Sequence, residues 1–245
     1  MTLAQCDQSI AWYRQLGPRL KAHWRFKVIA GAVMMVSFFS GYFLLLYFPI
    51  FPVTKMPVTA LDRLVGLSPN SLLLYITLWI YIPIGPWLLS DKRELIAYSK
   101  ALYGLGLVGL VVFFFFPTSV PPPNVDLVAY PGFRLLVAID RPRNVFPSLH
   151  AASAVFSAIC IGRLLRQLSA GGLIRGLNWC WCLGILYSAL ATKQHLAVDV
   201  IAGTALGAGW AGLYLRFFSR GVDEAALRDA ATAPHRRNDL AVHDR

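Results

Sequence analysis

Arg143-Asn144-Val145-Phe146-Pro147-Ser148-Leu149-His150 runs directly into the apolar segment 151–165. A polar stretch set against an apolar run of this length reads as the start of a helix. Ser148 is placed to cap the free amides, Pro147 sits just outside, and His150 falls in the first turn. Amides and dipole at a helix start favour an anion, so Ser148, His150 and the nearby arginines are candidates to hold a phosphate. The plain alternative is a capped helix with one interfacial histidine, and these eight residues alone do not separate the two.

The rest of the chain decides what kind of helix this is. The sequence is 57% hydrophobic and only 14% charged, with a mean hydropathy of +0.56, whereas soluble domains are roughly half apolar and a quarter charged. The expected fold is therefore all-α, a polytopic six-transmembrane-helix bundle. A net charge of +11 raises nucleic acid as a partner, but the basic residues sit at the ends of apolar runs rather than in one aromatic-rich patch. They read as topology signals, and no nucleic acid is expected. Cys160, Cys180 and Cys182 lie inside apolar runs and Cys6 near the amino terminus, without metal or redox spacing. Neither a disulfide framework nor a cysteine metal site is expected. No small-residue cleavage signal follows the first apolar run, so a removable leader is not expected.

Residues 9–26 mix Trp12, Tyr13, Trp24 and Phe26 with Arg14, Arg19, Lys21 and Arg25, a composition suited to the lipid headgroup region. Apolar runs at 28–48, 71–89, 99–116, 149–165, 176–192 and 195–218 match the ~20 residues that a span requires. Pro83 and Pro86 are expected to kink the second, and Phe113 to Phe116 before Pro117 form an aromatic belt and helix stop. The loop from 118 to 146 is the longest between spans and carries Pro121-Pro122-Pro123, then an expected short interfacial helix over 133–140. Long ordered loops tend to be functional. In the sixth run, Gly203-x-x-x-Gly207 permits close helix packing. The division expected is a basic-aromatic segment over 1–27, a membrane domain over 28–218 and a polar, disordered tail over 219–245.

Six spans put both termini on one side. Seventeen of the 23 lysines and arginines fall there, leaving Lys55, Arg63, Arg134, Arg141, Arg143 and Lys193 opposite. Lysine and arginine in loops mark the cytoplasm, so the termini are expected to be cytoplasmic in a multi-pass cell-membrane protein. His150 and His195 then reach the same, outer face.

The second stretch that can carry chemistry is Thr192-Lys193-Gln194-His195-Leu196-Ala197-Val198-Asp199. On a helix, His195 and Asp199 share a face, so the carboxylate can take a proton from the ring, fix its tautomer and sharpen the other nitrogen as base or nucleophile. An ionisable residue within a span is costly, which favours a functional role for Asp199.

Pro147-Ser148-Leu149-His150 is similar to Pro-Ser-Gly-His, and His195-x-x-x-Asp199 to the end of the third motif, of the type 2 phosphatidic acid phosphatase superfamily of membrane lipid-phosphate phosphatases and phosphotransferases. Order, separation and placement on spans four to six agree with that family over residues 116–209, and six spans is its usual number. The resemblance implies that His195 attacks phosphorus to give a phosphohistidine, that Asp199 orients it, and that His150 protonates the leaving oxygen and then activates the acceptor. It implies that Ser148 binds phosphate and that cations clamp the non-bridging oxygens, with no cofactor or metal. The substrate implied is a lipid phosphate at the bilayer.

Three departures stand out. Leu149 replaces the motif's glycine, putting a bulky side chain where the backbone is expected to approach the phosphate. The third motif's Ser-Arg falls at Ser188-Ala189, leaving Lys193 as the nearest substitute for the arginine. Arg134 and Arg141-Pro142 fit Lys-x6-Arg-Pro only with arginine for lysine and with unusually few residues before Pro147. Arg141 and Arg143 are the remaining candidate phosphate clamps. The Phe-Pro-Ser-Leu-His and Lys-Gln-His wording resembles the inositol phosphotransferase branch. The rival readings are a two-histidine, one-carboxylate iron site and a lipid or proton transporter.

Overall fold

The structure is a computed structural model and describes residues 11–122, 130, 132–134 and 143–218. Its helices are α1 (Leu16–Lys21), α2 (Trp24–Tyr47), α3 (Ala60–Leu64), α4 (Ser71–Ile76), α5 (Leu78–Leu88), α6 (Lys92–Phe115), α7 (Leu149–Gln167), α8 (Gly172–Ala191) and α9 (Ala197–Leu213). Six segments are long and apolar enough to cross a bilayer, with α4 and α5 together making the second and α9 continuing to Phe217 as the sixth. The all-α, six-helix expectation is met, within a few residues at most ends. The exception is the third, which starts at Lys92 rather than at 99, because Asp91 caps it by accepting from the Glu94 amide at 2.8 Å.

The second span breaks at Thr77 instead of at its prolines. Pro83 and Pro86 both lie inside α5, whereas the Thr77 hydroxyl donates to Leu74 O at 2.6 Å and accepts the Trp181 indole N–H at 2.9 Å. A side chain that bonds its own preceding turn competes with the helix ladder, and here a neighbouring span holds it in place. Of the expected interfacial helix, only the turn 132–134 is described. Arg141, the remainder of that segment and the tail from 219 lie outside the described residues.

Helix α7 is the centre of the bundle. It packs against α5, α6, α8 and α9, and its buried face combines Ala151, Ala152, Ala154 and Ala158 with Val155, Phe156, Ile161, Leu164 and Leu165. A Cβ at Gly203 would lie 2.2 Å from Ser148 O, and one at Gly207 2.2 Å from Ala152 O. The two glycines therefore let α9 touch the α7 backbone, as small-residue motifs do in lipid, where close packing rather than water exclusion drives association. Inside the bundle, the Asn178 amide donates to Ala158 O at 3.0 Å, and its oxygen accepts from the Tyr81 hydroxyl at 2.7 Å, joining α7, α8 and α5.

Between spans, Thr54–Lys55 (β1) pairs in parallel with Thr118–Ser119 (β2), and Ser119 forms an antiparallel bridge with Arg143. This small patch anchors the loop that leads into α7.

Candidate active site

Thr118 fixes the approach to α7. Its carbonyl accepts from Asn144 N at 2.7 Å, and its hydroxyl accepts from Val145 N and Phe146 N at 3.1 and 3.0 Å. The helix then starts as its sequence implies, with Ser148 Oγ accepting from Ala151 N at 3.1 Å. Leu149 is the first correction. Its side chain turns toward α6, where a Cβ on Gly109 would lie 2.4 Å from it. The missing side chain of Gly109 makes room for the extra one at 149, so the bulk lies against a neighbouring span.

The second correction concerns His195 and Asp199. They do not share a helix, because α9 begins only at Ala197. His195 N bonds back to Ala189 O at 3.2 Å, and Lys193 takes a left-handed backbone with φ of 58°. The residues up to His195 thus finish α8 rather than begin α9. Asp199 caps the new helix, its Oδ2 accepting from Leu196 N at 2.8 Å, and its carbonyl accepts from Ser148 N at 3.0 Å. The two starts, of α7 and α9, are joined through backbone.

These local structures bring the histidines together at one end of the bundle. The His150 and His195 ring centroids are 6.4 Å apart, and His150 lies face to face on Tyr75 at 3.9 Å with 4° between planes. Both histidines, Ser148 and Asp199 are buried. His150 Nε2, His195 Nδ1 and Asp199 Oδ1 are buried without a hydrogen-bond partner among the described residues. Burial pushes the His195 imidazole down to about 4, against the effect of a hydrogen bond to the Val145 backbone, so the ring is a neutral base at pH 7. Both histidines, Asn144, Leu149 and Ser153 line a cavity of about 430 Å³. It extends between α2, α5 and α6 as far as Lys27 and Trp87, and its walls are mostly aliphatic and aromatic.

Lys193 has a different occupation from the expected phosphate contact. Its ammonium donates to Asp62 O at 2.8 Å and to Val65 O. Arg143 is half-buried beside the site on its bridge to Ser119, Arg134 is exposed, and Arg141 lies outside the described residues. Ala189, in the position of the absent motif arginine, is fully buried. Three residues at the site escaped the sequence reading. Tyr75 and Asp62 belong to segments whose sequence shows only a generic span and loop. Asn144 did carry a signal, as an asparagine between the arginines and the cap, because asparagine tolerates left-handed backbone and its φ is 53°. Among the described residues, no group of three or more His, Cys, Asp or Glu side chains is arranged to hold a metal ion.

Comparison with curated proteins and with solved structures returned no match. The model of the PAP2 superfamily matches residues 86–223, more than half of the chain, from the last turn of α5 through α9, and so includes both histidines. With the paired histidines, the capped start of α7 and Asp199 inside that match, the chain belongs to the PAP2 superfamily, whose chemistry is that of phosphatases and phosphotransferases acting on phosphoesters.

Proposed function

We propose that the protein cleaves the phosphoester of a lipid phosphate through a phosphohistidine. The observation that carries this reading is the opening of a long apolar cavity onto two buried imidazoles, each with one nitrogen that has no partner among the described residues. A hydrocarbon tail fits the cavity walls, and the phosphate it carries would then lie between His150 and His195. His195 attacks phosphorus, the bond to the leaving oxygen breaks, and His150 supplies that oxygen's proton. His150 then takes a proton from the acceptor, which attacks the phosphohistidine and frees His195. The His195 N–H stays on the Val145 backbone, which leaves Nδ1 to attack, and the buried Asp199 carboxylate balances the charge of the ring as it forms. Ser148, whose oxygen already accepts from Ala151 N, keeps its O–H to donate to the phosphate. Arg143 and Arg141, on the loop entering α7, supply positive charge. Positioning and electrostatics of this kind dominate phosphoryl transfer.

Water as acceptor makes the protein a phosphatase; with an inositol phospholipid as donor, His195 carries the phosphoinositol group and a lipid hydroxyl accepts it, which makes the protein an inositol phosphotransferase. Purified protein given a panel of lipid phosphates should release phosphate, or, given an inositol phospholipid and a lipid alcohol, form a new inositol phospholipid or sphingolipid. No turnover of any of them sinks the reading. The charge asymmetry further supports cytoplasmic termini and an outward-facing site. A cysteine at the exposed Pro122 should then react with an impermeant thiol reagent in intact cells, and labelling only after lysis would reverse the orientation.

A further inference from the structure

We infer that Asn144 is a phosphate ligand, its side-chain amide donating where the motif arginine is absent. The inference rests on the phosphoryl-transfer reading. Asn144 is 4% exposed and its Nδ2 has no partner among the described residues, a state that buried donors rarely keep. The side chain lines the same cavity as His150 and His195. It is also held there, because three successive amides from Asn144 to Phe146 bond to Thr118. The backbone is left-handed at φ 53°, a conformation that asparagine adopts far more readily than most residues. A fixed, dry N–H₂ aimed at a reacting phosphate acts as an oxyanion donor does, stabilising charge without reorganising.

The test uses full-length detergent-solubilised protein, an aryl phosphate substrate and orthovanadate as phosphate mimic. Asn144→Ala should weaken vanadate inhibition by about 10-fold or more, the usual effect of losing a hydrogen bond to a charged group. Asn144→Asp keeps the shape and the backbone preference but faces the phosphate with negative charge, so it should be the worse of the two. If Asn144 only supports the turn, the order reverses and aspartate outperforms alanine, which overturns the assignment. Wild type that turns over no phosphoester would instead remove the functional reading itself.

From a separate observation we infer that Lys193 and Asp62 act together as positioning residues for His195. The Lys193 ammonium reaches two carbonyls at 62 and 65. The buried Asp62 carboxylate accepts from Ala197 N at 2.7 Å and from Thr59 N at 2.7 Å. Helix α3 thus grips the 193–197 turn on both sides of the nucleophile. A displacement of about 1 Å at such a group can lower the rate roughly 100-fold. Lys193→Met and Asp62→Ala should each lower kcat by about 10- to 100-fold while KM and vanadate inhibition stay within about 2-fold of wild type. The double variant should be little worse than the poorer single one, and Asp62→Asn, which keeps an acceptor for Ala197 N, should recover most of the loss. Weakened vanadate inhibition in Lys193→Met would return that lysine to the phosphate and overturn the assignment.

Discussion

Helices α7 and α2 are both membrane spans, yet one buries thirteen of its 19 residues and the other only Lys27 and Leu46 of its 24. The first is seated by small residues, with Gly203 and Gly207 letting α9 reach its backbone. The second carries Phe38, Phe39, Tyr42 and Phe43 around the cavity and the neighbouring spans. Lipid gives no hydrophobic reward for bringing helices together, so close association needs small residues and stands out from looser packing. The difference suits the proposed chemistry, in which α7, α8 and α9 hold the reacting groups while α2, α5 and α6 accommodate the lipid tail.

The largest expected effect lies wholly in the rigid half. His195→Ala should lower turnover on the order of 10⁶-fold, as removal of a covalent nucleophile does, with no acid-labile phosphoprotein trapped. His150→Ala should lose about 10²–10⁴-fold on a lipid phosphate and recover much of that on an aryl phosphate, whose leaving oxygen needs no proton. Equal losses on both substrates, with nothing trapped in wild type, would favour direct attack by water.

The next contrast sets one glycine against another. Gly207→Ala drives a Cβ to 2.2 Å from Ala152 O and should destabilise by about 1–3 kcal/mol, lowering the melting temperature in detergent. Gly31→Ala on α2 meets nothing within 4 Å and should be neutral or slightly stabilising, since alanine favours helix by about 1 kcal/mol over glycine. Similar melting temperatures for the two would remove the distinction between the halves. Gly31→Leu, which puts bulk into the cavity wall, should lower kcat/KM for long-tailed phosphates more than for short-tailed ones, and an unchanged length profile would remove the tail from this cavity.

The smallest effect is on pH dependence. His195 is pushed down to about 4 by burial, so it stays neutral and nucleophilic until pH falls through that value, and protonation below it abolishes attack. The acid limb of kcat/KM should lie near pH 4. An acid limb near 6.5 would show that the ring is solvated, and the site correspondingly open.

Much of the fold was legible because a bilayer enforces a simple rule: each span needs about 20 apolar residues with all backbone groups satisfied internally. Apolar run lengths therefore revealed six spans, and the Ser148 cap and the two histidine motifs marked the end of the bundle that holds the candidate site. The i, i+4 argument for His195 and Asp199 failed because a periodicity cannot show that a helix has ended. The turn at Lys193 depends on a left-handed residue and on the Asp62 carboxylate, which reaches Ala197 N only once the chain folds back.

From sequence alone came the membrane class and the span count, which follow from local composition, and the family resemblance with its candidate phosphate residues, which rests on two short motifs. Tertiary structure alone decided that Leu149 leans on Gly109, that Lys193 is tied to the carbonyls of Asp62 and Val65, that Asn144 lines the same cavity as the histidines and that this cavity joins them to the first three spans. Each of these depends on two segments distant in the chain meeting at a distance of a few ångströms, and no periodicity within either segment encodes such a meeting.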